Sequence, residues 1–303
     1  MRVVVVGLGV QGKKRLAIAG SDAAGTVDPV HPQAQYQAVE QVPLGQYDAA
    51  LVCTPDAVKM SILRYLLSNG KHVLVEKPLL AATPADLNDL DSLANCHGAV
   101  CYTAYNHRFE PHIANLKNLL DSGRLGRIYS ARLFYGNGTA RDVRNSPWRD
   151  QGFGVLPDLG SHLLDTVLFL FGQVAGDCRT WRADRFENHA YDRYLFGFHG
   201  PLAIDCEVTM LSWRNSFHAD VYGEFGSAHI DCLCKWGPST LTVRTRVFPS
   251  GRPGEEATSL VCADPTWAAE YEHFKTLVQA PCTNIRNDLW IQSKLDELMA
   301  ASQ

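Results

Sequence analysis

No stretch of this 303-residue sequence approaches the ~18 unbroken apolar residues that a membrane-crossing helix needs, so no membrane span is expected. A strong charge of either sign is also missing. Lys and Arg total 28 against 32 Asp and Glu, a formal net charge of −4, so the basic balance of a nucleic-acid binder is absent. The nine cysteines are odd in number and scattered, several of them within apolar runs, as Cys53 is in ALVCT. That pattern speaks against a disulfide framework and for reduced thiols in the cytoplasm. Cys232 and Cys234 would share a face on a strand, but no second ligand pair has zinc spacing, so no metal site is expected. The opening valines break at glycines, with Lys-Lys-Arg after them and no small-residue cleavage site, which does not fit a secretion signal. There is no internal repeat and no low-complexity stretch.

What is present starts at once, in MRVVVVGLGVQGKKR. Val3 to Val6 is a β-branched run suited to a strand buried on both faces, as in a parallel sheet. Gly7, Leu8, Gly9, Val10, Gln11 and Gly12 follow it directly. Lys13 to Ala19 then reads as helix, with Lys13 to Arg15 on its solvated face and Gly20 as its stop. Strand, G-x-G-x-x-G and helix in this order point to a dinucleotide site. Gly7 permits a tight turn, Gly9 lets a pyrophosphate approach the backbone, and Gly12 lets helix and strand pack closely. The helix start offers free N–H groups to phosphate. An acid about 20 residues on should meet the adenine ribose, and Asp28 in AAGTVDP stands there. A carboxylate repels a 2′-phosphate and no Arg lies between Asp28 and Gln37, so NAD is favoured, with NADP as the alternative.

Strands and helices then alternate. Tyr47 to Cys53 reads as a strand. Thr54 and Pro55 follow as N-cap and first helical position, and the helix ends at Asn69-Gly70. Lys71 to Val75 is the next strand, running into Glu76-Lys77-Pro78. Thr83 to Asp86 forms a capping box for a helix to about Asn95. Ala99 to Ala104 completes the set, which places a domain boundary near residue 104. Thr54, Pro55, Glu76, Lys77, Tyr105 and Arg108 all fall at strand ends, where open α/β sheets hold their ligands.

With Glu76-Lys77-Pro78 added to these motifs, the sequence resembles one family, the glucose–fructose oxidoreductase / inositol dehydrogenase (Gfo/Idh/MocA) dehydrogenases. The matching motifs occur in order: GLGVQG, CTPD, NGKHVLVEKP, YNHRFEP, GRLGRI and PWRDQGFGVLPDLGSHLLD. The resemblance covers residues 1 to 170. It implies a Rossmann domain, taken as 1–104, and an α+β domain with a large, mostly antiparallel open sheet, taken as 105–303. The sheet would join a homodimer or homotetramer. The implied chemistry is hydride transfer between nicotinamide and a hydroxyl-bearing carbon of a sugar or cyclic polyol. The family's catalytic lysine matches Lys77, and its D-x-x-x-H pair matches Asp158 and His162. Two departures stand out. Lys59 occupies a position where the family often has His, at the cofactor edge and with no expected effect on the chemistry. Phe153 interrupts a glycine run and would narrow the substrate pocket.

These residue types suit alcohol oxidation. Imidazole titrates near neutral pH without help, so His162 suits the general base. Lys77 can donate hydrogen bonds to an oxygen gaining negative charge. Asp158 can orient the imidazole, and Gly160 permits a tight turn into a helix from Ser161 to Phe171. Asp165 either orients the ring or is structural. Trp148 can stack on a sugar ring, and Arg149 and Arg108 can grip hydroxyls or acids. Beyond residue 170, strand-like runs recur at 191–198, 202–210, 217–222, 227–234 and 240–247, with Trp213 and Tyr222 facing a second subunit. An exposed turn is expected at 250–254, followed by helices at 267–278 and 285–299. Two other functions use the same parts. One is a glycosidase-type enzyme that oxidises its substrate transiently with bound NAD. The other is a non-catalytic NAD(P) sensor.

Overall fold

The computed structural model describes residues 1–302, which fall into two compact units. One comprises Met1–Asn106 with Thr266–Trp290, the other His107–Pro265 with the chain from Ile291 on.

The first unit begins with Val3–Val6 (β1), whose side chains are buried on both faces as the unbroken valine run requires. Then come Val10–Ala19 (α1), Ala23–Val27 (β2), Ala49–Val52 (β3), Asp56–Ser68 (α2), His72–Glu76 (β4), Pro84–Cys96 (α3) and Cys101–Ala104 (β5). The five strands form one sheet in the order β2-β1-β3-β4-β5, and every pairing is parallel. The order reverses at β1, which creates a crevice at its carboxyl end. The expected capping box opens α3: Thr83 Oγ1 accepts from the Asp86 N–H at 3.3 Å, and Asp86 Oδ2 accepts from the Thr83 N–H at 3.1 Å. The cap expected of Thr54 is not made, because α2 starts with Pro55 in that position and no side chain capping it.

The second unit holds Pro111–Asp121 (α4), Ile128–Gly136 (β6), Ala140–Arg144 (α5), Ser161–Phe171 (α6) and seven more strands. These are Asp177–Asp184 (β7), Arg193–His199 (β8), Ala203–Thr209 (β9), Ser216–Gly223 (β10), Gly226–Asp231 (β11), Ser239–Thr245 (β12) and Gly254–Leu260 (β13). One eight-stranded sheet results, in the order β13-β12-β11-β10-β6-β9-β8-β7. Only β6 and β9 pair in parallel. Along β10 buried and more exposed residues alternate, so the sheet has one covered face, on which α4 and α6 pack. Beyond residue 170, two strands were not expected. All but the last residue of β13 are exposed, so no apolar alternation marks it, and it takes over the end of the expected turn at 250–254. Polar β7 carries a bulge between Thr180 and Arg182, which breaks its period.

Cys232 and Cys234 do not share a strand face. β11 ends at Asp231, Cys232 turns with φ 64°, and Cys234 opens a short 3₁₀ turn. No His, Cys, Asp and Glu group among the described residues has metal-holding geometry, and no helix among them is long and apolar enough to cross a membrane.

The chain ends with Thr266–Gln279 (α7) and Ile285–Ala300 (α8). The expected boundary near residue 104 leaves out this return, since Thr266–Trp290 belongs to the first unit. The reason lies in the sheet. Leu63, Leu66 and Leu67 of α2 and Leu87 and Leu90 of α3 cover one face. The other face carries Val3, Val5, Leu51 and Leu74, and Tyr271 and Phe274 of α7 pack against it. A parallel sheet is stable only with both faces covered, and the N-terminal helices do not suffice.

Candidate active site

In the first unit, β1 runs into Gly7, whose φ is +91°; a Cβ there would lie 2.6 Å from the Cys53 carbonyl oxygen. A Cβ on Gly12 would lie 1.7 Å from the Gly7 carbonyl oxygen, so α1 and the turn touch only because that atom is missing. Gly9 differs, because nothing lies within 4 Å of where its Cβ would be. It caps α1 without a side-chain hydrogen bond and without an acid in the first turn, and Val10 and Gln11 are exposed beside it. The first helical N–H groups have no intrahelical partner. They face an opening that glycine keeps clear.

Asp28 closes the turn from the side. Its Oδ2 accepts from the Leu8 N–H at 2.8 Å, and its Oδ1 accepts from Val30 and His31 N–H groups at 2.9 Å each. Burial works against ionisation there, but the three backbone donors outweigh it and hold the carboxyl below its usual range. A carboxylate offers about four acceptor positions, so room remains for a ribose hydroxyl. At the end of β3, Thr54 Oγ1 is buried with no hydrogen-bond partner among the described residues. A glycine-lined opening, a helix start without a cap, an ionised acid and a buried hydroxyl without a partner together fit a dinucleotide.

Glu76 ends β4 and Lys77 follows it, and two buried cations hold the segment. Arg15 is 1% exposed, not solvated as Lys13 to Arg15 were expected to be. Its Nε donates to Glu76 Oε1 at 2.7 Å, and its Nη2 donates to Glu270 Oε2 at 2.6 Å. Trp267 lies against the guanidinium, 4.3 Å from ring centroid to Cζ. Thus Glu76, expected to meet the cofactor, has its carboxylate committed to Arg15. Lys59, 2% exposed, is the second cation. Its Nζ donates to the Glu76 carbonyl at 3.0 Å, the Pro78 carbonyl at 2.7 Å and Asp56 Oδ1 at 2.6 Å. It grips the main chain on both sides of Lys77, so the departure at position 59 reaches the candidate catalytic lysine after all.

In the second unit, Asp158 lies in a π-helical turn, Leu156–Gly160, that runs straight into α6. The tight turn expected at Gly160 does not occur, since its φ of −63° and ψ of −36° are helical. Glycine is needed there for space: a Cβ would meet Leu156 Cδ1 at 2.9 Å. Asp158 and His162 are therefore about one turn apart on continuous helix. His162 is 7% exposed. It stacks on His107, with centroids 4.4 Å apart and planes at 25°, and meets the edge of Tyr135 at 5.7 Å. Tyr135 in turn stacks on Trp236 at 5.6 Å. Burial, reinforced by the Asp158 charge, pushes the Tyr135 phenol up, so it stays protonated and can donate.

Arg108 does not present a free fork. Its Nε donates to Asp165 Oδ1 and Oδ2 at 3.1 and 2.9 Å, and its Nη2 to Oδ1 at 2.6 Å. This settles Asp165 as the partner of Arg108. Burial pushes its carboxyl up and the guanidinium pulls it back. Trp148 is 74% exposed, and Arg149 follows it in a turn closed by its own N–H on the Ser146 carbonyl at 2.8 Å. Phe153 stacks on Tyr191, centroids 6.0 Å apart. Tyr105 is buried at the end of the first unit's β-rich segment.

Each unit thus gathers its own set. Gly7, Gly9, Val10, Gln11, Gly12, Asp28, Thr54, Pro55, Glu76 and Lys77 sit at carboxyl ends of strands in the first, while Asp158 and His162 sit on α6 in the second. Four side chains have roles that their local sequence does not mark: Arg15, Lys59, His107 and Tyr135. Arg15 reaches Glu270, 255 residues away, Lys59 grips the carbonyls on either side of Lys77, and His107 and Tyr135 meet His162 on α6.

Residues 1–105 match the family model described as an oxidoreductase family with an NAD-binding Rossmann fold. Residues 113–229 match the model of the GFO/IDH/MocA C-terminal domain. An uncharacterised oxidoreductase, YdgJ of Escherichia coli, is 33% identical over 128 residues, 41% of this chain and 36% of that protein. Levoglucosan dehydrogenase of Pseudarthrobacter phenanthrenivorans is 31% identical over 180 residues, 54% of this chain and 46% of that protein. These alignments therefore span less than half of either relative. A solved structure of levoglucosan dehydrogenase with NADH superposes with a TM-score of 0.84 at 18% identity, covering 100% of this chain and 96% of that one. At that identity the likeness establishes the fold.

Proposed function

Because this chain belongs to the GFO/IDH/MocA oxidoreductases, matched by models of both their domains, we propose that it is an NAD(P)-dependent dehydrogenase. It acts on a hydroxyl-bearing carbon of a sugar, sugar derivative or cyclic polyol. The observation that carries this reading is His162: a buried imidazole about one turn from Asp158, in a chain whose other unit carries Lys77 directly after β4, with Glu76 bonded to Arg15 of α1, the helix behind the glycine turn.

Gly7, Gly9, Val10, Gln11 and Gly12 hold the pyrophosphate, Asp28 the adenine ribose, and Thr54 and Pro55 the rim of the site. NAD is favoured by the carboxylate of Asp28, which repels a 2′-phosphate. A nicotinamide held by these residues would supply the hydride acceptor for the alcohol oxidation. His162 takes the hydroxyl proton in oxidation and returns it in reduction. Lys77 donates to the reacting oxygen as its negative charge grows, held in place by Lys59 and by Arg15 through Glu76. Asp158 orients the imidazole. Trp148 and Arg149 remain the substrate contacts of this reading, with Arg108 reduced to a support of α6 through Asp165.

The uncovered sheet face favours a homodimer or homotetramer. Arg132, Phe134, Trp181, Asp205, Glu207 and His218 border a hollow of about 400 Å³ there. Tyr222 is on this face, whereas Trp213 stands in a loop between β9 and β10. All nine cysteines are free thiols, which suits the cytoplasm.

The test is a screen with NAD and NADP across sugars, anhydrosugars, inositols and nucleotide-linked sugars. Accumulation of reduced cofactor is expected, whereas a cleaved glycoside without it would point to transient oxidation. Lys77→Ala should cut turnover by about 10²–10⁴-fold while NADH binding survives. Unchanged turnover would overturn the mechanism.

A further inference from the structure

We propose that His107 is a positioning residue for His162, and that the two stacked imidazoles behave as one unit that takes up at most one proton across the working pH range. This deepens the reading of His162 as the base and rests on it.

The geometry is specific. The two rings lie nearly parallel at 4.4 Å. His107 is 1% exposed and is held on three further sides by rings: Tyr135 at 5.1 Å, Phe217 edge-on at 5.8 Å and Trp236 edge-on at 6.2 Å. Such walls offer a charge little solvation, so a second imidazolium stacked on the first is strongly disfavoured. The Asp158 charge, in the turn before α6, reaches Tyr135, which lies against both rings, and a carboxylate there favours the first proton on the pair. Asp165 on α6 is neutralised by Arg108. Glu110, after the 3₁₀ turn, has its carboxylate engaged by the His112, Ile113 and Cys234 N–H groups. The Lys235 ammonium, 5.0 Å from the Trp236 ring, opposes a second proton. Tyr135 stays a neutral phenol.

The stack also fixes the plane of the His162 ring, and so the direction of its nitrogens. Oxidation of an alcohol releases one proton with the hydride. A pair that accepts one proton and refuses a second takes up that proton without leaving a doubly charged site behind.

The experiment is a titration of the full chain with isotopically labelled histidine, read by NMR. Resonances are assigned through His107→Phe, which keeps a ring in the stack, and His162→Gln. In the unmodified protein, one of the two rings should protonate about one pH unit or more below the other. Replacing the higher-titrating imidazole should raise the midpoint of the other by a similar amount. Independent midpoints that no substitution moves would overturn the proposal. If His107→Phe does not fold, the titration of the unmodified protein still decides, since coincident simple steps refute the pair. On a substrate from the screen, His107→Phe should move the acid limb of kcat against pH, whereas His218→Phe, on the uncovered sheet face, should not. Coupled titration in a protein with no dehydrogenase turnover would keep the pair and discard the dehydrogenase.

Discussion

Arg15 and Lys59 show how much of the site depends on single buried cations. The motif residues were legible because chemistry constrains them locally: a glycine for a missing Cβ, an acid at a set distance, a lysine after a strand. Arg15 was legible only as one of three basic residues in a row. Its burial follows from Glu76 and Glu270, and Glu270 itself is 0% exposed. Breaking a buried ion pair leaves a charge without compensation, at a cost of about 3–5 kcal/mol. Arg15→Met should therefore lower stability by that amount in urea denaturation, and adding Glu270→Leu should restore much of it. If Arg15→Met alone is neutral, the network does not hold the segment around Lys77.

Among the elements, the turn between β1 and α1 separates two uses of glycine that the sequence cannot tell apart. Gly12 is required by the fold, because its Cβ would overlap the Gly7 carbonyl. Gly9 leaves open space with an ordinary backbone φ of −66°, so the fold itself does not require glycine there, and the proposed function assigns that space to the pyrophosphate. Gly9→Ala should keep the unmodified melting temperature within a few degrees and weaken NADH binding about tenfold or more, as one methyl in the phosphate path costs at least ~1.4 kcal/mol. Gly12→Ala should instead lower stability by more than ~2 kcal/mol. Calorimetry and NADH titration of both variants check this, and equal NADH affinity in Gly9→Ala would remove the phosphate from this turn. The elements that the sequence hid were those whose signal is not periodic: β13 is exposed on both faces, and β7 changes register at its bulge. The π-turn before α6 is another, since Gly160 reads as a break and acts as a spacer.

For the molecule as a whole, the C-terminal return is the main lesson. Tyr271 and Phe274 cover one face of the first sheet, Tyr271 Oη donates to Asp22 Oδ2 at 2.9 Å, and Thr103 Oγ1 donates to Asp288 Oδ2 at 2.8 Å. Ending the chain after Asp264 should thus destabilise the N-terminal unit, although the cut lies far from it in sequence. Loss of NADH binding and of the cooperative melt is the expected outcome. A truncated protein that still binds NADH would show that the C-terminal return is dispensable for the N-terminal unit.

The sequence by itself determined the cofactor turn, the alternation of strands and helices, the α/β class and the family. Each of these is written in contiguous residues with a fixed local geometry. Only the tertiary structure decided which cations are buried, that α7 belongs to the first unit, that Arg108 serves Asp165, and that two imidazoles share one stack. Those outcomes depend on side chains brought together from distant parts of the chain, and burial, which sets the energy of every charge involved, exists only once the chain has folded.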